Sequence, residues 1–200
     1  MIHPIETESY RILETRIDLS HLVPGPRAVV ERVVHASADP EYATSTVVDV
    51  AAVDAGVHAL RAVAPVLCDV EMVQSGIRGV PTECFLADRG SSDPDSPTRA
   101  ALGMRAAAVE HPTGAVVVVG CAPTALDEVL DLAARGEFAP ALIIGLPVGF
   151  VGAAESKARL RASGLPAISN VGEKGGSAVA AAAVNALVRL ATPSSEGNAS

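Results

Sequence analysis

"AVVVVG", residues 115–120, runs straight into "CAPTAL", residues 121–126. The first run is short, rich in β-branched residues and apolar without alternation. That is how a strand buried on both faces of a parallel sheet reads. Pro123 then suits the first turn of a helix, where its missing N–H is no loss. The same succession recurs along the chain. "PVLCDV" (65–70), "TECFLA" (82–87), "ALIIGL" (141–146) and "AISNVG" (167–172) read as further strands. Helical patterns over 98–110, 123–135, 152–163 and 176–191 fall between most of them. Alternation of this kind predicts an α/β fold, three-layer and doubly wound, with a mainly parallel five-stranded sheet. Upstream, residues 4–16 read as a helix opened by Pro4, and a second helix runs from Pro24 to about His35. Thr46-Val47-Val48 is extended and leads into an Ala-rich helix ending near 62. "DRGSSDPDSP" (88–97) is expected to be a polar loop, 1–191 a single domain, and "TPSSEGNAS" (192–200) a disordered tail.

Composition narrows the function. Hydrophobic residues make up 49% of the 200, enough for a sizeable core, while aromatics are only 2% and Trp is absent. A formal charge of −8 and few rings to stack on bases argue against nucleic acid as a partner. The first apolar stretch is interrupted by Glu6, Glu8 and Arg11, so no signal peptide is expected, and no run is suited to spanning a membrane. Three cysteines, Cys68, Cys84 and Cys121, are an odd number at wide spacing, which suits free thiols in a reducing cytoplasm. The five histidines show no metal-ligand spacing with cysteines or carboxylates, so no metal is expected.

Ligands of such folds bind at the carboxyl ends of the strands. Three turns there are candidates. In "CAPTAL", Thr124 sits beside the free N–H groups of a helix start, an anion-binding corner or simply a capped helix. In "LPVGFVGAAESK" (146–157), Gly149 and Gly152 permit close backbone approach or a tight turn; the spacing is neither a dinucleotide fingerprint nor a Walker loop. In "EKGGSAVAAAAVNAL" (173–187), Gly176 and Ser177 offer amides ahead of a bare Ala-rich helix, which packs closely on the sheet or on a second subunit. Asp69 and Glu71 are a close carboxylate pair, suited to capping or to the surface. His35 ends a helix in "AVVERVVHASADP" (28–40), where the helix C-terminus favours its charge.

Several segments, in this order and spacing, resemble the precorrin-8X methylmutase family: "HPIETESYRIL" (3–13), "VVHAS" (33–37), "CDVEMVQSGI" (68–77), "PTRAALGMRAA" (97–107), "CAPTAL", "GLPVGFVGAAESK" (145–157) and "GGSAVAAAAVNAL" (175–187). The thirteen-residue stretch 145–157 is the most specific of them. Three departures stand out. Ser37-Ala38 replaces the family's usual Cys-Gly, Ala100 replaces a serine, and Cys121 replaces an asparagine. The resemblance implies an isomerase of corrin-ring biosynthesis that moves a methyl group from C11 to C12 of precorrin-8X, giving hydrogenobyrinic acid, without a cofactor. It implies His35 as proton donor to the macrocycle, at an ordinary histidine pKa near 6.5. Expected substrate contacts are Ser9, Thr98, Arg99, Thr124, Gly149, Gly176 and Ser177, with Arg99 gripping a carboxylate through its fork. It also implies a homodimer with the site at the interface, for which helices 50–62 and 176–190 offer charge-poor apolar surface. Alternatives are a cobalt-precorrin-8 methylmutase giving cobyrinic acid, a non-catalytic corrinoid-binding protein, or, apart from the resemblance, a generic anion-binding module.

Overall fold

The computed structural model describes residues 3–86 and 96–192. The tail from 193 and nearly all of the loop expected at 88–97 lie outside the described residues. In chain order the elements are α1 (Pro4–Glu14), α2 (Pro24–Ser37), α3 (Tyr42–Ser45), β1 (Thr46–Val47), α4 (Val50–Arg61), β2 (Val66–Cys68), α5 (Glu71–Gly76) and β3 (Thr82–Cys84). There follow α6 (Arg99–Glu110), β4 (Val116–Val119), α7 (Pro123–Ala134), β5 (Leu142–Gly145), α8 (Ala153–Ala162), β6 (Ala167–Asn170) and α9 (Ser177–Ala191).

The sheet runs β1-β6-β5-β4-β2-β3. Its five longer strands are parallel, and β1 adds an antiparallel edge, with Thr46 opposite Asn170. The α/β class therefore holds, but among the described residues the sheet has six strands where five were expected. A two-residue strand is too short to show a period.

Burial on both faces is visible residue by residue. Val116 and Val118 of β4, with Leu142 and Ile144 of β5, join a core shared with α1, α2, α4, α5 and α9. Val117, Val119 and Ile143 point the other way, into a core shared with α6, α7 and α8. Small residues set the spacing of the layers. A Cβ on Gly120 would meet Val73 Cγ2 at 2.7 Å and Ala180 Cβ at 2.8 Å, so α9 passes close beneath the end of β4. Alanines 180 to 183 of α9 are all buried. α9 thus spends most of its apolar surface within the chain, while Val50 at the start of the 50–62 helix stays exposed. The apolar sides of α9 pack within the chain against α2, α4 and α5, and Gly56 of α4 lets Leu142 and Leu187 close on the backbone.

One buried carboxylate joins the strand ends. Asp69 follows β2, and its side chain accepts N–H bonds from Gly120 (3.1 Å), Cys121 (2.8 Å) and Ala122 (2.9 Å). Burial pushes its pKa up, against the pull of those three donors. The capping role read for Asp69 is the one it plays, ahead of α7, while Glu71 is exposed in the first turn of α5. Asp69→Ala leaves these donors unpaired and is expected to cost about 3 kcal/mol, read from the urea midpoint, with Asp69→Asn costing less because one acceptor remains. A loss below about 0.5 kcal/mol would show the cap to be idle.

Candidate active site

The candidate acid is built by α1 and α2. His3 caps α1 by accepting from the Ile5 N–H at 3.2 Å, and Pro4 opens it. α2 stops one turn beyond His35, where Ala38 takes a left-handed conformation at φ 52°. Ser9 of α1 meets His35 Nδ1 at 2.8 Å. Tyr10, the next residue, stacks on the imidazole with ring centroids 4.8 Å apart and planes 8° from parallel. A serine hydroxyl both donates and accepts, so it serves Nδ1 in either protonation state. With a proton held on Nδ1 it accepts, both from the imidazolium and from the neutral ring left when Nε2 gives up its proton. The Ser9 contact thus commits Nδ1 and leaves Nε2 as the nitrogen that exchanges a proton. His35 lines a cleft of about 100 Å³ with Ser9, Ile12, Arg16, Ala38 and Pro40.

Two cations stand behind the ring. Arg32 and Arg189 both donate to Glu6 Oε1, at 2.8 and 2.6 Å. Burial first, then the positive charges of Arg32 and Arg189, hold the His35 pKa below its ordinary value, with Glu6 opposing. The expectation of an unperturbed histidine is corrected on that ground.

The other expected residues form two further groups. Thr98 caps α6 through a 3.2 Å bond from the Ala101 N–H, and its hydroxyl lies 2.7 Å from that of Thr124 in the first turn of α7. Arg99, exposed, begins α6 beside them. The Gly149 N–H donates to Glu173 O at 3.2 Å, and the Gly176 N–H to Leu146 O at 2.8 Å. These two amides tie one strand-end turn to the other, so the Gly176 N–H is not the open donor expected of it. Ser177, half-buried, starts α9. Gly175 is required by space alone, since a Cβ there would lie 2.3 Å from both Leu146 O and Pro147 O. Among the described residues no three His, Cys, Asp or Glu cluster in a way that could hold a metal.

Sequence reasoning passed over Tyr10, Glu6, Arg32, Arg189 and Lys157. Lys157 is fully buried. Its ammonium donates to Asn170 Oδ1 at 3.0 Å and to the Lys174 carbonyl, fastening the turn that leads into α9. The signal was present: Lys157 lies four residues from Ala153 and three from Leu160, on the buried face of α8. Burial, aided by Arg161, pushes its pKa down from 10.5 to about 8. The folded value is the lower one, so the penalty is complete below pH 8 and is relieved as pH rises to 10.5. Relative to Lys157→Met, the wild-type protein should gain on the order of 3 kcal/mol of unfolding free energy across that window. A difference between the two that stays flat with pH would show the amine to be unperturbed.

Comparison with known proteins places this geometry. The precorrin-8X methylmutase family profile matches residues 4–190. A cobalt-precorrin-8 methylmutase of Methanothermobacter thermautotrophicus is 44% identical over 176 residues, covering 86% of this chain and 84% of the relative. A precorrin-8X methylmutase of Pseudomonas aeruginosa is 39% identical over 195 residues, covering 92% and 93%. The crystal structure of precorrin-8X methylmutase from Thermus thermophilus superimposes with a TM-score of 0.82 at 36% identity, covering 94% of this chain and 98% of that one. With a profile match over residues 4–190 and relatives 36–44% identical over most of its length, the chain belongs to the precorrin-8X methylmutase family.

Proposed function

We propose that this chain moves the methyl group at C11 of precorrin-8X to C12, giving hydrogenobyrinic acid, with His35 as the proton donor. Its family makes it a methylmutase, an isomerase of corrin-ring biosynthesis. The observation that supports the assignment of the acid is the clamp on His35: Ser9 at 2.8 Å on Nδ1 and Tyr10 flat against the ring. A fixed imidazole with one free nitrogen is what general acid catalysis needs. Protonation from Nε2 makes the conjugated macrocycle more electron-poor and lowers the barrier to methyl migration. The remaining proton stays on Nδ1, where Ser9 accepts it.

Substrate carboxylates and ring edges are assigned to Ser9, Arg99, Thr98, Thr124 and Ser177, with Gly149 and Gly176 allowing close approach. The same residues serve a cobalt-loaded substrate, giving cobyrinic acid; relatives carry both names. A non-catalytic corrinoid carrier is disfavoured, since such a role has no use for an imidazole held by both neighbours.

The working form is assigned as a homodimer in the cytoplasm. The cleft at His35, about 100 Å³, is too small to enclose a tetrapyrrole by itself. Phe150 and Val151, 90% and 87% exposed, project from the turn after β5, with Val148 and Val171 exposed nearby in sequence on the two tied turns. A second subunit against these side chains supplies a wall. Among the described residues no helix is long and apolar enough to cross a membrane.

His35→Ala is expected to keep the fold and corrinoid binding, since the ring is half-exposed at a helix end, and to lower turnover by about 10²–10⁴-fold or more. Near wild-type turnover in the visible-spectrum assay with precorrin-8X would end the assignment of the acid. Sedimentation equilibrium at micromolar protein tests the assembly. A dimer burying at least about 2,000 Å² should persist there, whereas a fully active 20.3 kDa monomer would refute it.

A further inference from the structure

The geometry points to a carboxylate-binding groove of three arginines, Arg32, Arg78 and Arg189, that holds the acidic side chains of the substrate beside His35. This inference rests on the methylmutase reading and deepens it. The groove, about 440 Å³, is walled by the last turn of α2, the turn after α5 and one side of α9. Gly76, Gly79, Ala178, Ala181 and Ala182 line it, so little rises above its floor. Among the described residues no carboxylate lines it. Arg32 and Arg189 share a single acid, Glu6. Arg78 is exposed, and among the described residues its guanidinium pairs with no side chain. Only its backbone N–H is engaged, donating to Asn185 Oδ1 at 2.9 Å, while Asn185 Nδ2 donates to Gly76 O at 2.9 Å. Asn185 thus fixes the turn that presents Arg78 to α9.

Among the described residues three guanidinium groups are set against one carboxylate, a local excess of positive charge on a chain whose formal charge is −8. Guanidinium forks match carboxylates bidentately. A corrin precursor bears acetate and propionate carboxylates around a flat ring, and a wide, low-floored groove suits its rim. The position is also right: Arg32 lies one helical turn before His35, and Ala36, the residue after His35, is part of the groove. There is a consequence for the acid. The groups facing His35 are Ser9, Tyr10 and Glu6 from α1, Arg16 just after it across the cleft, Arg32 from α2 and Arg189 from α9; burial first, then Arg32 and Arg189, hold its pKa down. Substrate carboxylates on Arg32 and Arg189 offset that effect, so the acid form is favoured when substrate is in place.

The test compares the wild-type protein with Arg78→Gln, Arg78→Gln/Arg189→Gln and the corresponding double lysine variant. Each is assayed with precorrin-8X and titrated with hydrogenobyrinic acid and with its methyl ester. Melting by circular dichroism checks the fold, and the single variant, with no side-chain partner to lose, guards against misfolding of the double one. The double glutamine variant should raise KM at least about tenfold with kcat changed less than about threefold, and lose the preference for acid over ester. The lysine variant should recover part of the affinity because charge returns without the fork. In the wild-type protein the high-pH limb of the kcat profile, where the imidazolium loses its proton, should lie at higher pH than that of kcat/KM, because the two report the bound and the free enzyme. Unchanged KM and unchanged acid preference in the double variant, with wild-type turnover intact, would overturn the groove and leave the methylmutase reading standing. Arginine-dependent preference for the free acid without any wild-type turnover would keep the groove and overturn the methylmutase reading. Neither binding nor turnover would overturn both.

Discussion

Val116 to Val119 and Leu142 to Gly145 are covered on both faces, and that double burial decides where chemistry takes place. With apolar layers above and below, polar groups collect at the ends of the strands. Asp69 organises that edge by taking three N–H groups from the start of α7. Lys157 does the equivalent for the turn into α9. Both are ionisable groups buried at a cost that their hydrogen bonds offset only in part. Each fixes backbone near the edge on which the candidate contacts Thr98, Thr124 and Ser177 lie.

The same close packing brings the acid to its place. α9 is narrow where it carries alanines, so α2 can lie against it, and α1 can lie against α2. The last turn of α2 thereby reaches the rim of the groove with His35 exposed on one side. Adjacent residues of α1 then act on one ring, Ser9 at its edge and Tyr10 on its face. Arg32 and Arg189 approach from two other elements and share Glu6. In the proposed binding mode, substrate carboxylates complete the charge balance that Glu6 alone begins.

Much of this was legible in the sequence, and unevenly so. The continuous apolar runs at 66–68, 116–119 and 142–145 gave away a sheet buried on both faces because burial removes the need to alternate. α3 and α5 were not legible, since elements of four and six residues carry too few positions to show a period, and β1 was legible only as the extended stretch Thr46-Val47-Val48, not as an edge of the sheet. The Ala-rich helix 177–191 was legible as a close-packing element, but its partner was not. Composition says that a bare helix packs tightly; only topology says that α2, α4 and α5 are what it packs against. The clamp on His35 was half legible. Ser9 followed from the family resemblance, whereas Tyr10, Glu6, Arg32 and Arg189 come together only across α1, α2 and α9, beyond the reach of spacing within one segment. The lowered His35 pKa was hidden for the same reason.

The departures from the family pattern find physical accounts in the same framework. Ala100 points into the core with Met104 and Leu126, so losing a serine hydroxyl there removes a buried polar group and leaves the edge untouched. Cys121 serves the fold through its backbone, whose N–H reaches Asp69 at 2.8 Å, and its exposed side chain is free to vary. Ala38 is the one that meets resistance. At φ 52° it occupies a conformation that glycine takes freely and that costs another residue roughly 1–2 kcal/mol. Ser37 answers it locally. Its hydroxyl donates to Val33 O at 2.9 Å and accepts from the Asp39 N–H at 3.2 Å, bonding the helix end on both sides of the strained residue. Asp39 in turn bonds Lys174 at 2.6 Å, which ties this corner to the turn ahead of α9. The Ser-Ala pair thus keeps the helix ending where Cys-Gly would end it, and His35 keeps its place one turn from the end.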